Sequence, residues 1–217
     1  KDINEDFFEV NKWLQNQSAD VTYSGRGETI FFEHQNLKCV LKHYYRGGLL
    51  GHFIRDRYLW TGIDGSRPIR EFRRLKELCE MDLPVAKPIG ARAKKSGASY
   101  TADLITIEIE NSKTLSELIA EDHVNKNVWE AVGKCLHLFS NKEIYHPDLN
   151  TNNIIIDDEL NVYLIDFDTS SRLHQKISSK RSTLDRFHRS LKKTYKKRNK
   201  TFSEGDWNII LSQSPID

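Results

Sequence analysis

"IYHPDLNTNNIIIDDELNVYLIDFD", Ile144 to Asp168, places Asp148, Asn153, Asp166 and Asp168 around two runs of β-branched residues. Aspartate and asparagine are poor strand formers, so their position at the borders of such runs points to chemistry rather than packing. "NIIID" and "VYLID" read as two strands paired across the turn "DELN". Such a hairpin sets the loop before the first strand, with Asp148, and the end of the second, with Asp166, on one rim.

At 217 residues, 38% hydrophobic and 29% charged, the chain is large enough for one domain or two small lobes with proper cores. No apolar run approaches the roughly 18 residues that span a bilayer. The opening "KDINEDFFEVNKWLQNQ" mixes acids with aromatics and lacks the apolar centre of a signal peptide, so a cytoplasmic location is expected. Cys39, Cys79 and Cys135 are widely separated and odd in number. They fit neither a disulfide framework nor a C-x-x-C metal site, and buried, reduced thiols are expected.

The net charge of +2 hides an asymmetry: Arg172 to Lys200 carries twelve Lys or Arg against one acid, Asp185. Leu184, Phe187, Leu191 and Tyr195 recur within it at helical spacing, which predicts an amphipathic helix with a cationic outer face. Nucleic acid, anionic lipid or solvent alone could meet that face.

The N-terminal part reads as strands. "VTYSGRGETIFFE" is two β-rich runs flanking Ser24 to Glu28, and "LKCVLKHYY" is a third, so a small antiparallel sheet is expected. "SRPIREFRRLKELCEM" then offers a Ser66 cap, Pro68 in the first turn and Ile69, Phe72, Leu75 and Leu78 at helical spacing, a helix that stops before Pro84. "SYTADLITIEIE" returns to strand, a polar connector covers Glu110 to Lys113, and "TLSELI" opens a helix with a capping box from Thr114 to Glu117. "NKNVWEAVGKCLHLFSNK" supplies a longer helix with Val128, Trp129, Val132, Leu136 and Phe139 on one face.

This order of elements resembles the protein-kinase-like fold: α+β and two-lobed, with a small antiparallel β-sheet N-lobe over residues 1–109 and a reduced helical C-lobe over 110–217. His146-Pro147-Asp148 with Asn153 resembles the catalytic loop H-x-D-x-x-x-x-N, and Asp166-Phe167-Asp168 resembles the D-F-G metal site with its glycine replaced. Phosphoryl transfer needs a carboxylate near the acceptor hydroxyl and oxygen ligands for Mg²⁺ beside the phosphates. Asp148 then serves as the acceptor-orienting base, and Asn153 and Asp166 ligate the metal.

Other pieces are weak alone. "GRG" is also an ordinary hairpin turn, a lysine at a strand end is usually solvated, and Glu71 on an amphipathic helix is usually exposed. Beside the aspartate-rich anchor they gain meaning. Lys42 is expected to reach the α/β-phosphates and pair with Glu71, Gly25 and Gly27 to let backbone N–H groups approach the phosphates, and the connector around Glu108 and Glu110 to meet the adenine edge. His146 is expected to pack and hydrogen-bond rather than titrate. Pro147 stands where most protein kinases have arginine, so no reader of a phosphorylated activation loop is present at that position. Asp168 offers one more carboxylate near the metal.

After Asp166 there is no A-P-E element and little chain to hold a peptide, so a protein substrate is not expected. "VLKHYYRGGLLGHFIRDRYLWTG", "SRPIREFRRL", "LPVAKPIGARA", "LITIEIENSKTLSELI" and "RSTLDRFHRSLKK" together closely resemble the Kdo kinases of Gram-negative bacteria, within the lipopolysaccharide kinase family. The resemblance covers nearly the whole chain. It implies ATP and Mg²⁺ as cofactors and transfer to the 4-hydroxyl of 3-deoxy-D-manno-octulosonic acid (Kdo) in Kdo-lipid A. It also implies peripheral attachment to the cytoplasmic face of the inner membrane through the basic helix, and no nucleic-acid or protein partner. Arg46, in "HYYRGG", suits bidentate recognition of the acceptor's carboxylate or phosphates. The alternatives are a lipopolysaccharide core heptose kinase and a nucleic-acid-binding module built on a degenerate kinase core.

Overall fold

The computed structural model describes residues 5–9, 19–24, 27–34, 36–45, 56–168 and 179–213. Gly25 and Arg46 lie outside the described residues. The chain forms mixed α/β structure with antiparallel sheets and, among the described residues, five α-helices. It divides into two compact units, residues 1–77 with 86–108 and residues 78–85 with 109–217.

The first unit is built on a six-stranded antiparallel sheet of β1 (Ala19–Ser24), β2 (Gly27–His34), β3 (Leu37–His43), β4 (Tyr58–Leu59), β5 (Pro88–Ser96) and β6 (Ser99–Ile107). Strand periodicity sorts its side chains. Cys39 and Leu41 point to one face, where they are fully buried with Ile30, Phe32 and Ile105 under Phe7 and Phe8 of a short 3₁₀ turn. Each such apolar side chain contributes about 1.5–3 kcal/mol by leaving water. Asp103, 1% exposed on β6, is kept as a buried carboxylate by His43 Nδ1 at 2.6 Å and Arg92 Nε at 2.9 Å. Between β5 and β6 the chain reverses at Gly97, whose φ of +60° is open to glycine at no steric cost.

Helix α1 (Arg67–Glu80) buries Pro68, Glu71, Leu75 and Leu78, while Ile69 and Phe72 are only half-buried. The acidic Glu71 thus lies on the buried stripe. Ser66 stands just before the helix, but its hydroxyl turns back to donate to the carbonyl of Ile63 at 2.6 Å. The end is satisfied instead by the phenol oxygen of Tyr100, which accepts from the Arg67 N–H at 3.0 Å. The expected serine cap is therefore corrected: a buried tyrosine from β6 supplies the acceptor that the first turn lacks. The helix closes through Asp82, at φ +55°, with the Leu83 N–H donating to the Leu78 carbonyl at 3.0 Å.

The second unit holds a three-stranded antiparallel sheet of β7 (Ser112–Thr114), β8 (Ile154–Asp157) and β9 (Val162–Leu164), with helices α2 (Leu115–Ala120), α3 (Lys126–Asn141), α4 (Lys180–Lys196) and α5 (Glu204–Gln213). The capping box forms as read from the sequence: Thr114 Oγ1 accepts from the Glu117 N–H, and the Glu117 carboxylate accepts from the Thr114 N–H at 2.7 Å. Helix α3 buries Val128, Trp129, Val132, Leu136 and Phe139, with Cys135 beside them. At Gly133 helix α5 comes so close that an added Cβ would stand 2.7 Å from the Ile210 carbonyl oxygen. On α4 the residues Leu184, Phe187 and Leu191 are buried as the periodicity predicts, and Tyr195 is half-buried. Among the described residues no helix is long and apolar enough to cross a membrane. Cys39 and Cys135 are buried free thiols, and Cys79 is half-buried.

Candidate active site

In the first unit, strand parity puts Lys42 on the face of β3 opposite Cys39 and Leu41, toward helix α1. Its Nζ donates to Glu71 Oε1 at 3.2 Å and Oε2 at 3.3 Å. Glu71 is 1% exposed, and a buried carboxylate without a partner would cost several kcal/mol. The Tyr44 hydroxyl adds a second donor to Glu71, while Lys42 Nζ lies 4.6 Å from the centre of the Tyr44 ring. The three residues hold each other: Glu71 anchors the ammonium, and Tyr44 anchors Glu71. Tyr44 was not singled out from the sequence, although it stands two residues after Lys42 and so shares its face.

At the end of β6 the Glu108 N–H donates to the Lys38 carbonyl at 2.9 Å, which commits that donor to the sheet. Glu110 lies in the turn leading to β7 and belongs to the other unit. Gly27 opens β2 and pairs with Ser24.

In the second unit the aspartate-rich stretch forms the hairpin read from the sequence. β8 and β9 pair Ile154 with Leu164, Ile155 with Tyr163 and Ile156 with Val162. Ile154, Ile156, Val162 and Leu164 are buried. At the turn, Asp157 Oδ1 accepts from the N–H groups of Glu159 and Asn161 at 3.0 and 2.8 Å. At the open end the Ile165 N–H donates to the Asn153 carbonyl at 3.1 Å, tying the residue before Asp166 to the end of the Asp148 loop.

That loop is fixed by side chains. Asn153 Nδ2 donates to the Asp148 carbonyl at 2.8 Å, and Asn150 Nδ2 to the same oxygen at 2.9 Å. Because the amide nitrogen of Asn153 is the bonded end, its oxygen is the end available to a ligand. His146, 2% exposed, accepts from the Asp148 N–H at Nδ1 (3.1 Å) and lies 2.8 Å from the Ile165 carbonyl at Nε2. This pattern requires the neutral ring protonated on Nε2. Phe167, 1% exposed, meets the His146 ring edge-on at 4.5 Å and stacks on Phe139 at 5.8 Å. An aromatic plug thus sets the backbone on both sides of Asp166. Asp166 itself adopts φ +65°, a conformation costing a non-glycine residue about 1–3 kcal/mol.

Among the described residues no group of three His, Cys, Asp or Glu is gathered as for a metal held by protein alone. The residues the sequence offers as ligands, the Asp166 carboxylate and the amide oxygen of Asn153, are both oxygen donors of the kind a hard cation takes. Mg²⁺ is bound in this way, through one or two carboxylates together with waters and substrate phosphates.

Asp148 meets a residue the sequence did not flag as a site residue. Arg186 of α4 donates from Nη1 to Asp148 Oδ1 at 3.1 Å. The same helix holds the loop through Ser190 and Thr194, which contact the Thr151 N–H and hydroxyl at 3.2 and 2.9 Å.

The lipopolysaccharide kinase (Kdo/WaaP) family model matches residues 11–213. Among similar proteins is the 3-deoxy-D-manno-octulosonic acid kinase of Vibrio parahaemolyticus, 34% identical over 97% of this chain and 88% of that protein. Proteins of the same name from Haemophilus influenzae, 34% identical over 93% of this chain and 87% of theirs, and Mannheimia succiniciproducens, 36% identical over 96% and 89%, are similar to the same extent. A match of this length and identity means that the protein belongs to the lipopolysaccharide kinase (Kdo/WaaP) family.

Proposed function

We propose that the protein transfers the γ-phosphate of ATP to the 4-hydroxyl of Kdo in Kdo-lipid A, a step of lipopolysaccharide core assembly. The observation that carries this is the locked Asp148–Asn153 loop, tied through Ile165 to the entrance of Asp166, in a chain whose similar proteins are named Kdo kinases. The two units correspond to the lobes of a reduced protein-kinase-like fold.

Each residue then has a defined task. Asp148 accepts the hydrogen bond of the acceptor hydroxyl and aims its oxygen. Lys42, held by Glu71, meets the phosphate oxygens, and main-chain groups around Glu108 and Glu110 meet the adenine. Asn153 and Asp166 would hold Mg²⁺, which when bound would neutralise the charge of the transferring phosphoryl group. The cationic face of α4 rests on the anionic cytoplasmic surface of the inner membrane or on the phosphates of lipid A. In support, Lys193, Lys196 and Lys197 are exposed there and form no ion pair among the described residues, whereas Lys192 pairs with Glu204 at 2.8 Å.

The experiment is incubation of purified protein with ATP, Mg²⁺ and Kdo-lipid A, with the phosphate position in the product mapped. A phosphate on the Kdo 4-hydroxyl supports the assignment. Transfer only to a heptose-bearing acceptor contradicts it.

A further inference from the structure

Arg186, Ser190 and Thr194 are spaced four residues apart on α4 and so form one row along the helix. All three reach the Asp148 loop. Ser190 and Thr194 fix the helix to the loop through Thr151, which is 2% exposed. Arg186 differs. Its pair with Asp148 is open to water, the side chains being 38% and 66% exposed, and an exposed pair of this kind contributes little to stability. Only one of its guanidinium N–H donors is used among the described residues. A permanently charged, planar fork is thus held beside the acceptor-orienting carboxylate with most of its donors unspent.

We propose that Arg186 binds the carboxylate of the acceptor sugar and makes the site selective for a sugar acid over a neutral sugar. The inference rests on the Kdo-kinase assignment and deepens it. A guanidinium 3.1 Å from Asp148 Oδ1 places any anion on its remaining donors within one sugar ring of the hydroxyl that Asp148 holds. Kdo meets this requirement, because its carboxylate and its 4-hydroxyl stand on the same ring, two ring carbons apart. Guanidinium and carboxylate match as a bidentate fork. The weak pair with Asp148 can be shared with the incoming carboxylate at little cost. Meanwhile Arg186 occupies Oδ1 and leaves Oδ2, which has Asn150 Nδ2 no closer than 3.5 Å, to the acceptor hydroxyl. A heptose lacks the carboxylate and draws nothing from these donors.

The test measures transfer from ATP to Kdo-lipid A and to its Kdo C1-amide derivative, using the parent, Arg186→Gln and Arg186→Lys. The parent is expected to prefer the acid by about tenfold or more in kcat/KM. Arg186→Gln should raise the acceptor KM by about tenfold, leave the ATP KM within about twofold, and treat acid and amide alike. Arg186→Lys keeps the charge without the fork and should retain part of the preference. Unchanged melting temperature and ATP binding exclude damage to the fold; if the glutamine variant does not fold, the lysine variant carries the comparison. Three results overturn the proposal: a preference for the acid that survives in Arg186→Gln, an equal loss on both acceptors, or a rise in the ATP KM instead. A parent protein that phosphorylates no Kdo acceptor overturns the functional assignment and this inference with it, whereas an active parent with unaltered discrimination in the variant overturns this inference alone.

Discussion

Glu71 and Lys42 form an ion pair in which the glutamate side chain is 2% exposed and the lysine side chain 31% exposed. The acid is buried to hold the base, and the base keeps access to solvent and ligand. Glu71→Gln retains the shape but removes the charge that anchors Lys42. Transfer should fall by about 10–100-fold, equivalent to ~1.4–2.7 kcal/mol of barrier. Tyr44→Phe removes only the supporting hydroxyl and should cost about 1 kcal/mol of stability. Steady-state kinetics with chemical denaturation check both, and full activity in Glu71→Gln would show that Lys42 needs no anchor.

A second expectation concerns packing in the other unit. An alanine Cβ at Gly133 meets the Ile210 carbonyl at 2.7 Å, and a main-chain atom cannot swing aside as a side chain can. Gly133→Ala should therefore displace α5 and destabilise the protein by about 1–3 kcal/mol, despite alanine's better helix propensity. A thermal melt decides the sign: a rise in Tm would mean that α5 is not held where the contact requires.

Burial pushes the Cys135 thiol up to about 12, against a usual value near 8.5 in an unfolded chain. Above that usual value the unfolded chain loses a proton that the folded protein keeps. The stability associated with Cys135 is therefore complete below about pH 8 and declines as the pH rises toward 12, by up to ~1.4 kcal/mol per pH unit. Denaturation between pH 8 and 10 should show a steeper loss in the parent than in Cys135→Ala, and thiol alkylation of the native protein should be slow. Parallel pH slopes would contradict the burial.

Much of the second unit was legible because its signals are local. The hairpin from Ile154 to Leu164, the Thr114–Glu117 capping box and the apolar face of α3 each depend on residues within a few positions of one another. What required the folded chain was the aim of side chains set by distant neighbours. Ser66 reads as a cap until Tyr100, far along the chain, takes the Arg67 N–H. Tyr44 and Arg186 read as a strand-end aromatic and one more base in a cationic run. Only the packing of β3 on α1, and of α4 on the Asp148 loop, gives them partners.

The membrane proposal is tested with Lys193, Lys196 and Lys197, since Lys192 is already paired with Glu204. Changing the three to glutamine should weaken binding to anionic vesicles by about 1 kcal/mol per residue, up to ~100-fold in all. The effect should fade at high salt as screening shortens, while ATP binding stays unchanged. Co-sedimentation equal to that of the parent at low and high salt would remove docking by this face.

In the proposed reaction Asp148 holds the acceptor hydroxyl of a Kdo-bearing lipid while Asp166 serves the phosphates. Single-turnover phosphate transfer from ATP to Kdo-lipid A, measured in Asp148→Asn beside the parent and Asp166→Asn, separates these roles. Asp148→Asn should lose about 10³-fold or more in rate, ~4 kcal/mol of barrier, with ATP affinity and Tm near those of the parent. Asp166→Asn should lose comparable rate and respond to the Mg²⁺ concentration. A folded Asp148→Asn protein that transfers phosphate within about tenfold of the parent rate would show that Asp148 does not hold the acceptor hydroxyl.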